Sequence, residues 1–107
     1  MSAARSPRSR LRWMTYELRF RAEALKEWRK LDDSVRAQFK KKLKAILASP
    51  AIPAARLHGS QHRYKIKLRS AGFRLVYEVR DRELVVIVIA VGKRERNDVY
   101  LKAAKRH

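Results

Sequence analysis

YKIKLRSAGFRLVYEVRDRELVVIVIAV, residues 64–91, carries three strand patterns in succession. Tyr64, Ile66 and Leu68 alternate with Lys65, Lys67 and Arg69; after Ser70-Ala71-Gly72, the residues Phe73, Leu75, Tyr77 and Val79 alternate again. Successive side chains on a strand point to opposite faces, so two alternating runs joined by a short glycine-containing turn predict a β-hairpin with one apolar face. Asp81-Arg82-Glu83 closes the second run, and Leu84–Val91 is then apolar throughout and mostly β-branched. A strand without a polar side is expected at the centre of a sheet, covered on both faces.

Upstream, Thr15–Phe20 alternates with Tyr16, Leu18 and Phe20 on one side, which predicts a half-buried strand. Leu25, Trp28 and Leu31 then fall at helical spacing within Ala22–Leu31. Asp32-Asp33-Ser34 interrupts the pattern and offers capping oxygens to a second helix, in which Val35, Phe39, Leu43, Ile46 and Leu47 form a stripe before Pro50. Ala51–Arg63, with Pro53 and Gly59, reads as a linker. After Gly92, Val99 and Ala103 place a short amphipathic helix within Arg94–Arg106. The order β-α-α-β-β-β-α predicts an α+β fold: a small, mostly antiparallel sheet, an N-terminal helical hairpin packed on one face and a short C-terminal helix. Residues 1–13 mix Ser, Pro and Arg without periodicity and are expected to form a basic, disordered extension, with Met14 an alternative start and 14–107 the single domain.

Composition narrows the function. The 107 residues contain no cysteine, which removes disulfides and thiolate chemistry and suits a reducing cytoplasm. The longest apolar run, Leu84–Val91, is far shorter than the roughly 20 residues a membrane span needs, and the basic start lacks the apolar segment of a signal peptide. A cytoplasmic protein without membrane contacts is therefore expected. Lys and Arg total 28 against 10 Asp and Glu, a net charge of +18. Self-repulsion at that density opposes folding, so the charge is better explained by a polyanionic partner, nucleic acid foremost.

If Tyr64, Ile66 and Leu68 face the helical hairpin, Lys65, Lys67 and Arg69 stand on the opposite, open face, and Arg74 joins them from the neighbouring strand. Lys93, Arg94 and Arg96 leave the end of the central strand as further cations for a nucleic-acid backbone, with Tyr100 following on the last helix. Such a face also discourages edge pairing, and a tyrosine such as Tyr100, taken alone, is more often a packing residue than a catalyst.

Four segments nonetheless resemble one family, in order and at similar spacing: LKEWRKL (25–31), YKIKLRS (64–70), GFRLVY (72–77) and VGKRER (91–96). They are similar to the RelE family of bacterial toxin–antitoxin toxins, from about Met14 to the C-terminal helix. The resemblance implies a RelE-like microbial ribonuclease fold, cleavage of messenger RNA in the ribosomal A site, and a RelB-like antitoxin that wraps the toxin. It also implies a toxin–antitoxin complex that binds its operator DNA through the antitoxin. The family's functional positions fall on Lys65, Lys67, Arg74, Arg94 and Tyr100, all of the expected type. His58 is a departure, standing where close relatives carry arginine.

Cleavage through the 2′-hydroxyl needs a base, a phosphorane stabiliser and an acid. Of the histidines, His58 and His62 fall in the linker and His107 is terminal, and no His–carboxylate spacing suggests a metal site or another cofactor. Crowding by like charges lowers a lysine pKa, which makes Lys67 a candidate general base and leaves Tyr100 as its competitor. Lys65 and Arg74 are then expected on the scissile phosphate and Arg94 on developing charge, with Arg69, Lys93 and Arg96 as flanking RNA contacts. A non-catalytic RNA- or DNA-binding module, or an inactive relative that only binds an antitoxin, is the alternative reading.

Overall fold

The computed structural model describes residues 15–95 and 97–106. The extension expected over residues 1–13, Met14, Arg96 and His107 lie outside the described residues. Along the chain come β1 (Glu17–Phe20), α1 (Ala22–Arg29), α2 (Asp33–Ile46), a single 3-10 turn (Pro53–Ala55), β2 (Arg63–Leu68), β3 (Phe73–Arg80), β4 (Val85–Lys93) and α3 (Asp98–Lys105). This is the order read from the sequence. Among the described residues no helix is long and apolar enough to cross a membrane.

The strands form one sheet in the spatial order β1-β4-β3-β2. β2 and β3 form the predicted antiparallel hairpin, with Lys67 opposite Arg74 and Tyr64 opposite Tyr77. Gly72 makes the turn possible: its φ of +70° would strain any residue with a Cβ. β4 pairs antiparallel with β3 and parallel with β1, so the all-apolar run is indeed an inner strand. α2 begins where Asp32 accepts a hydrogen bond from the Ser34 N–H at 3.2 Å.

One face of the sheet is covered by the hairpin of α1 and α2. Leu75, Tyr77, Val86 and Val88 meet Ala24, Val35, Phe39 and Leu43, all fully or nearly fully buried. On α1 the fully buried place belongs to Ala24, and Leu25 is only half-buried. Tyr77 donates its buried hydroxyl to the Pro50 carbonyl at 2.9 Å, which fixes the start of the linker, and burial pushes its phenol up to about 12.

The sequence predicts an open second face; instead α3 lies across part of it. The reason is apolar: Val76, Ile89 and Ala90 are buried on that side and need a cover, which Val99 and Ala103 of α3 supply. A bulge helps, because Val76 pairs with Ala90 and Tyr77 with Val88, leaving Ile89 as an extra residue on β4. Ile89 and Ala90 therefore both serve the α3 side. The resulting sheet is sandwiched, with its charged strip confined to the part α3 leaves uncovered.

β1 is too short to flank all of β4, since its last partner is Val88. Beyond that point side chains take over the free strand edge. Glu27 of α1 accepts the Val91 N–H at 3.1 Å, and Arg106 donates to the Ile89 carbonyl at 2.9 Å. Buried backbone polar groups need such partners, and here they come from the two helices beside the edge.

Candidate active site

Lys67, Arg74 and Gly92 stand side by side on β2, β3 and β4. At Gly92 a Cβ would lie 3.1 Å from Val99 Cγ2 and 3.3 Å from Lys102 Nζ, so the missing side chain lets α3 settle close to β4. Beside that contact a depression of about 180 Å³ opens, lined by Lys67, Arg74, Lys93, Arg94, Asn97 and Tyr100. Four of the five positions marked by the sequence resemblance thus meet in one place.

Each is held by local structure. Lys67 and Arg74 are opposite partners of the hairpin. Arg94 lies before α3 rather than on it, and its N–H donates to the Gly72 carbonyl at 2.8 Å, which ties the end of β4 to the β2–β3 turn. Asn97 takes a left-handed conformation, φ +59°, to start α3, and Tyr100 sits in the first turn. The positive end of the helix dipole therefore also points toward the depression.

Lys65 is the exception. It lines a neighbouring groove of about 810 Å³ together with His58, Ser60, Gln61 and the shared residues Lys67 and Tyr100. Lys67 and Tyr100 stand at the junction of the two hollows. Arg69 is exposed at the turn and lines neither; Arg96 is outside the described residues.

The charge at this site is unbalanced. Among the described residues Arg63, Arg80, Lys102 and Arg106 are ion-paired, whereas Lys65, Lys67, Arg74, Lys93 and Arg94 form no ion pair. Arg74 is the extreme case: 7% exposed, with one hydrogen bond from its guanidinium to its neighbour's carbonyl, Phe73 O, at 2.9 Å. A buried cation without a counter-charge is costly, and the cost falls when an anion arrives. The Lys67 ammonium is held below the usual lysine range by partial desolvation, then by Arg69, Lys65 and Arg74.

A second cluster escaped the sequence reading. Glu27 accepts from Arg106 at 2.9 and 3.0 Å and from Lys102 at 2.7 Å, besides the Val91 N–H. Burial alone would raise its carboxyl, but these bonds together hold it below the usual carboxylate range. Across the sheet Arg63 pairs with Glu78 at 3.0 Å and donates to the Ala103 and Arg106 carbonyls at the end of α3. A signal was present: Glu27 falls three residues after Ala24 and four before Leu31, at the helical spacing of two buried residues, the second just past the end of α1.

A sequence model of the family described as "ParE toxin of type II toxin-antitoxin system, parDE" matches residues 18–98. The chain is 59% identical over 93 residues to the mRNA interferase toxin RelE of Escherichia coli, spanning 87% of this chain and 98% of that relative. The mRNA interferase RelE of Shigella flexneri matches equally well, with the same identity and coverage. Among solved structures, an arginine double mutant of E. coli toxin RelE in the free state superimposes with a TM-score of 0.80 at 56% identity, covering 86% of this chain and 97% of that one. The toxin in the intact E. coli RelBE toxin–antitoxin complex gives 0.73 at 59% identity, over 76% and 99%.

Proposed function

The chain belongs to the ParE/RelE family of type II toxins, and from that premise we propose that it is a messenger-RNA endoribonuclease that cuts in the ribosomal A site without a metal. The observation that carries the reading is the depression in which Lys67, Arg74, Arg94 and Tyr100 converge with no carboxylate to balance them. Its size suits a phosphodiester, while the adjoining groove falls in the range of roughly 300–1,000 Å³ that holds a whole ligand such as a nucleoside.

In this mechanism the scissile phosphate lies over Arg74, whose buried charge it neutralises, with Arg94 reaching across from the end of β4. The 2′-hydroxyl of the preceding ribose faces the junction residues. Neutral Lys67, with the Tyr100 phenol as acid, or the Tyr100 phenolate, with the Lys67 ammonium as acid, takes that proton as the oxygen attacks phosphorus, and the P–O5′ bond breaks. The leaving 5′-oxygen is protonated by the other of the pair, leaving a 2′,3′-cyclic phosphate. Clustered guanidinium and ammonium groups supply the positive charge that a metal would otherwise bring to the phosphorane. Lys65, set in the groove, holds the neighbouring nucleotide rather than the scissile phosphate itself.

Such acid–base groups are weak, so the ribosome is expected to contribute by fixing the codon's geometry, which can supply a large share of the barrier reduction. The remaining charge, on α2 and the extension, attracts RNA. A RelB-like antitoxin neutralises the toxin, and the complex reaches operator DNA through that partner. The protein works in the cytoplasm.

Purified protein added to ribosomes programmed with a defined message should yield 5′ ends at the A-site codon. Arg94→Ala and Tyr100→Phe should each nearly abolish those ends while melting cooperatively like the parent. Uncut message with the wild-type protein would instead favour a pure binder, and full activity in both variants would remove the depression from the mechanism.

A further inference from the structure

Tyr100 reaches the depression only because α3 is held where it is, and α3 by itself is poorly equipped to hold a position. It has eight residues and buries only Val99 and Ala103. A helix that short is marginal in water without tertiary support. The support comes from polar groups in its last turn and on the residue that follows it. Lys102 and Arg106 both donate to Glu27, at 2.7 to 3.0 Å, and Glu27 in turn accepts the main-chain N–H of Val91. Val91 directly precedes Gly92, the residue that shares a row with Arg74 and Lys67. One carboxylate on α1 therefore keys α3 to the strand that floors the site.

We infer that Glu27 is a positioning residue for Tyr100: through Lys102 and Arg106 it fixes the height and rotation of α3 on β4, and with them the place of the phenol at the rim of the depression. Glu27 lines neither hollow and touches no reacting atom. Its influence passes along less than one turn of helix, from Lys102 back to Tyr100. The Arg63 guanidinium, paired with Glu78, grips the last carbonyls of α3 from the other side, so loosening Glu27 lets the helix pivot without detaching it. The inference rests on the ribonuclease reading only for what Tyr100 does, not for how it is held.

The test is a double-mutant cycle in single-turnover cleavage on programmed ribosomes, well below the melting temperature, with Glu27→Gln, Tyr100→Phe and the pair. Displacement of a catalytic group by about 1 Å costs on the order of 100-fold, so Glu27→Gln should slow cleavage about 10- to 100-fold with little change in KM. In the Tyr100→Phe background the same substitution should cost nothing further. Arg106→Ala, which cuts the link from the α3 side, should behave alike, and it replaces Glu27→Gln if that variant melts early. In parallel, the Tyr100 ring resonances should shift or broaden and the α3 amides exchange faster in either variant. Equal losses in both backgrounds, or a Tyr100 ring signal unmoved by Glu27→Gln and by Arg106→Ala, would overturn the inference. If the wild-type protein does not cut, the ribonuclease reading fails, and the ring and exchange data alone decide whether Glu27 positions Tyr100.

Discussion

At the scale of single residues, two cations of the same depression carry different predictions. Lys67 is held below the ordinary lysine range by desolvation and then by Arg69, Lys65 and Arg74. If its neutral form is the base, cleavage rises with pH through that lowered value and then levels off. Lys67→Arg keeps the charge but cannot give up the proton, so its profile should be low and flat. A rise that survives in Lys67→Arg and disappears in Tyr100→Phe would hand the role to the phenol. Arg74 makes the opposite point about stability. Its guanidinium is buried without a counter-charge and faces Lys67 across the hairpin. Arg74→Met removes the crowding and fills the space with apolar atoms, which should stabilise the fold by about 1 kcal/mol in denaturant titrations. The same variant should lose most of its cleavage. A destabilised Arg74→Met would mean that the Phe73 carbonyl bond outweighs the repulsion.

Among the elements, α2 and α3 are anchored so differently that they test different things. α2 is long, capped by Asp32 and seated through Val35, Phe39 and Leu43 on the other face of the sheet, and it lines no part of the depression. Asp32→Ala should cost about 1 kcal/mol of stability and leave cleavage unchanged. Gly92→Ala pushes a methyl group against Val99 and Lys102. Overpacking of that kind costs about 1–3 kcal/mol, and because it lifts α3 it should also depress cleavage at temperatures where the fold is intact. Activity unchanged in Gly92→Ala would show that the site tolerates movement of the helix. The difference between these helices also explains what the sequence could and could not disclose. Periodicity exposes a long stripe such as Val35-Phe39-Leu43, and alternation exposes the β2–β3 hairpin with its Lys67–Arg74 pair. It is blind to which strand lies next to which, so the parallel β1–β4 pairing was out of reach. The cover over the second face was half legible: Val76 and Ala90 are apolar on the charged side, but only a known register shows that they need α3. Glu27 was hidden for another reason, since a carboxylate within an apolar stripe has meaning only when its cationic partners, more than seventy residues away, are in place. The convergence of Lys67, Arg74, Arg94 and Tyr100 came from the family resemblance, and the separation of Lys65 into the adjoining groove came from the fold.

For the whole molecule, the net charge of +18 acts on folding and on binding with opposite signs. Exposed like charges on α2 and the rim repel one another within the Debye length, which added salt shortens to about 8 Å at physiological ionic strength, so added salt relieves them. The ion pairs that hold α3 are short and largely buried, and salt screens them much less. Raising monovalent salt from about 50 to 200 mM should therefore raise the melting temperature. RNA binding moves the other way, because each neutralised phosphate releases counterions. With about 6–10 phosphate contacts on single-stranded RNA, the affinity should fall by roughly 300- to 10,000-fold over the same interval. Removing one site cation, as in Lys65→Ala, should reduce the slope of log affinity against log salt by about 0.7 for single-stranded RNA. Removing Lys102, which is paired with Glu27 and lines neither hollow, should change that slope less and lower the melting temperature instead. The two classes of cation are thus separable in solution without any measurement of cleavage. Equal slope changes for Lys65→Ala and Lys102→Ala would mean that the paired and unpaired charges seen in the fold do not differ in what they offer to RNA.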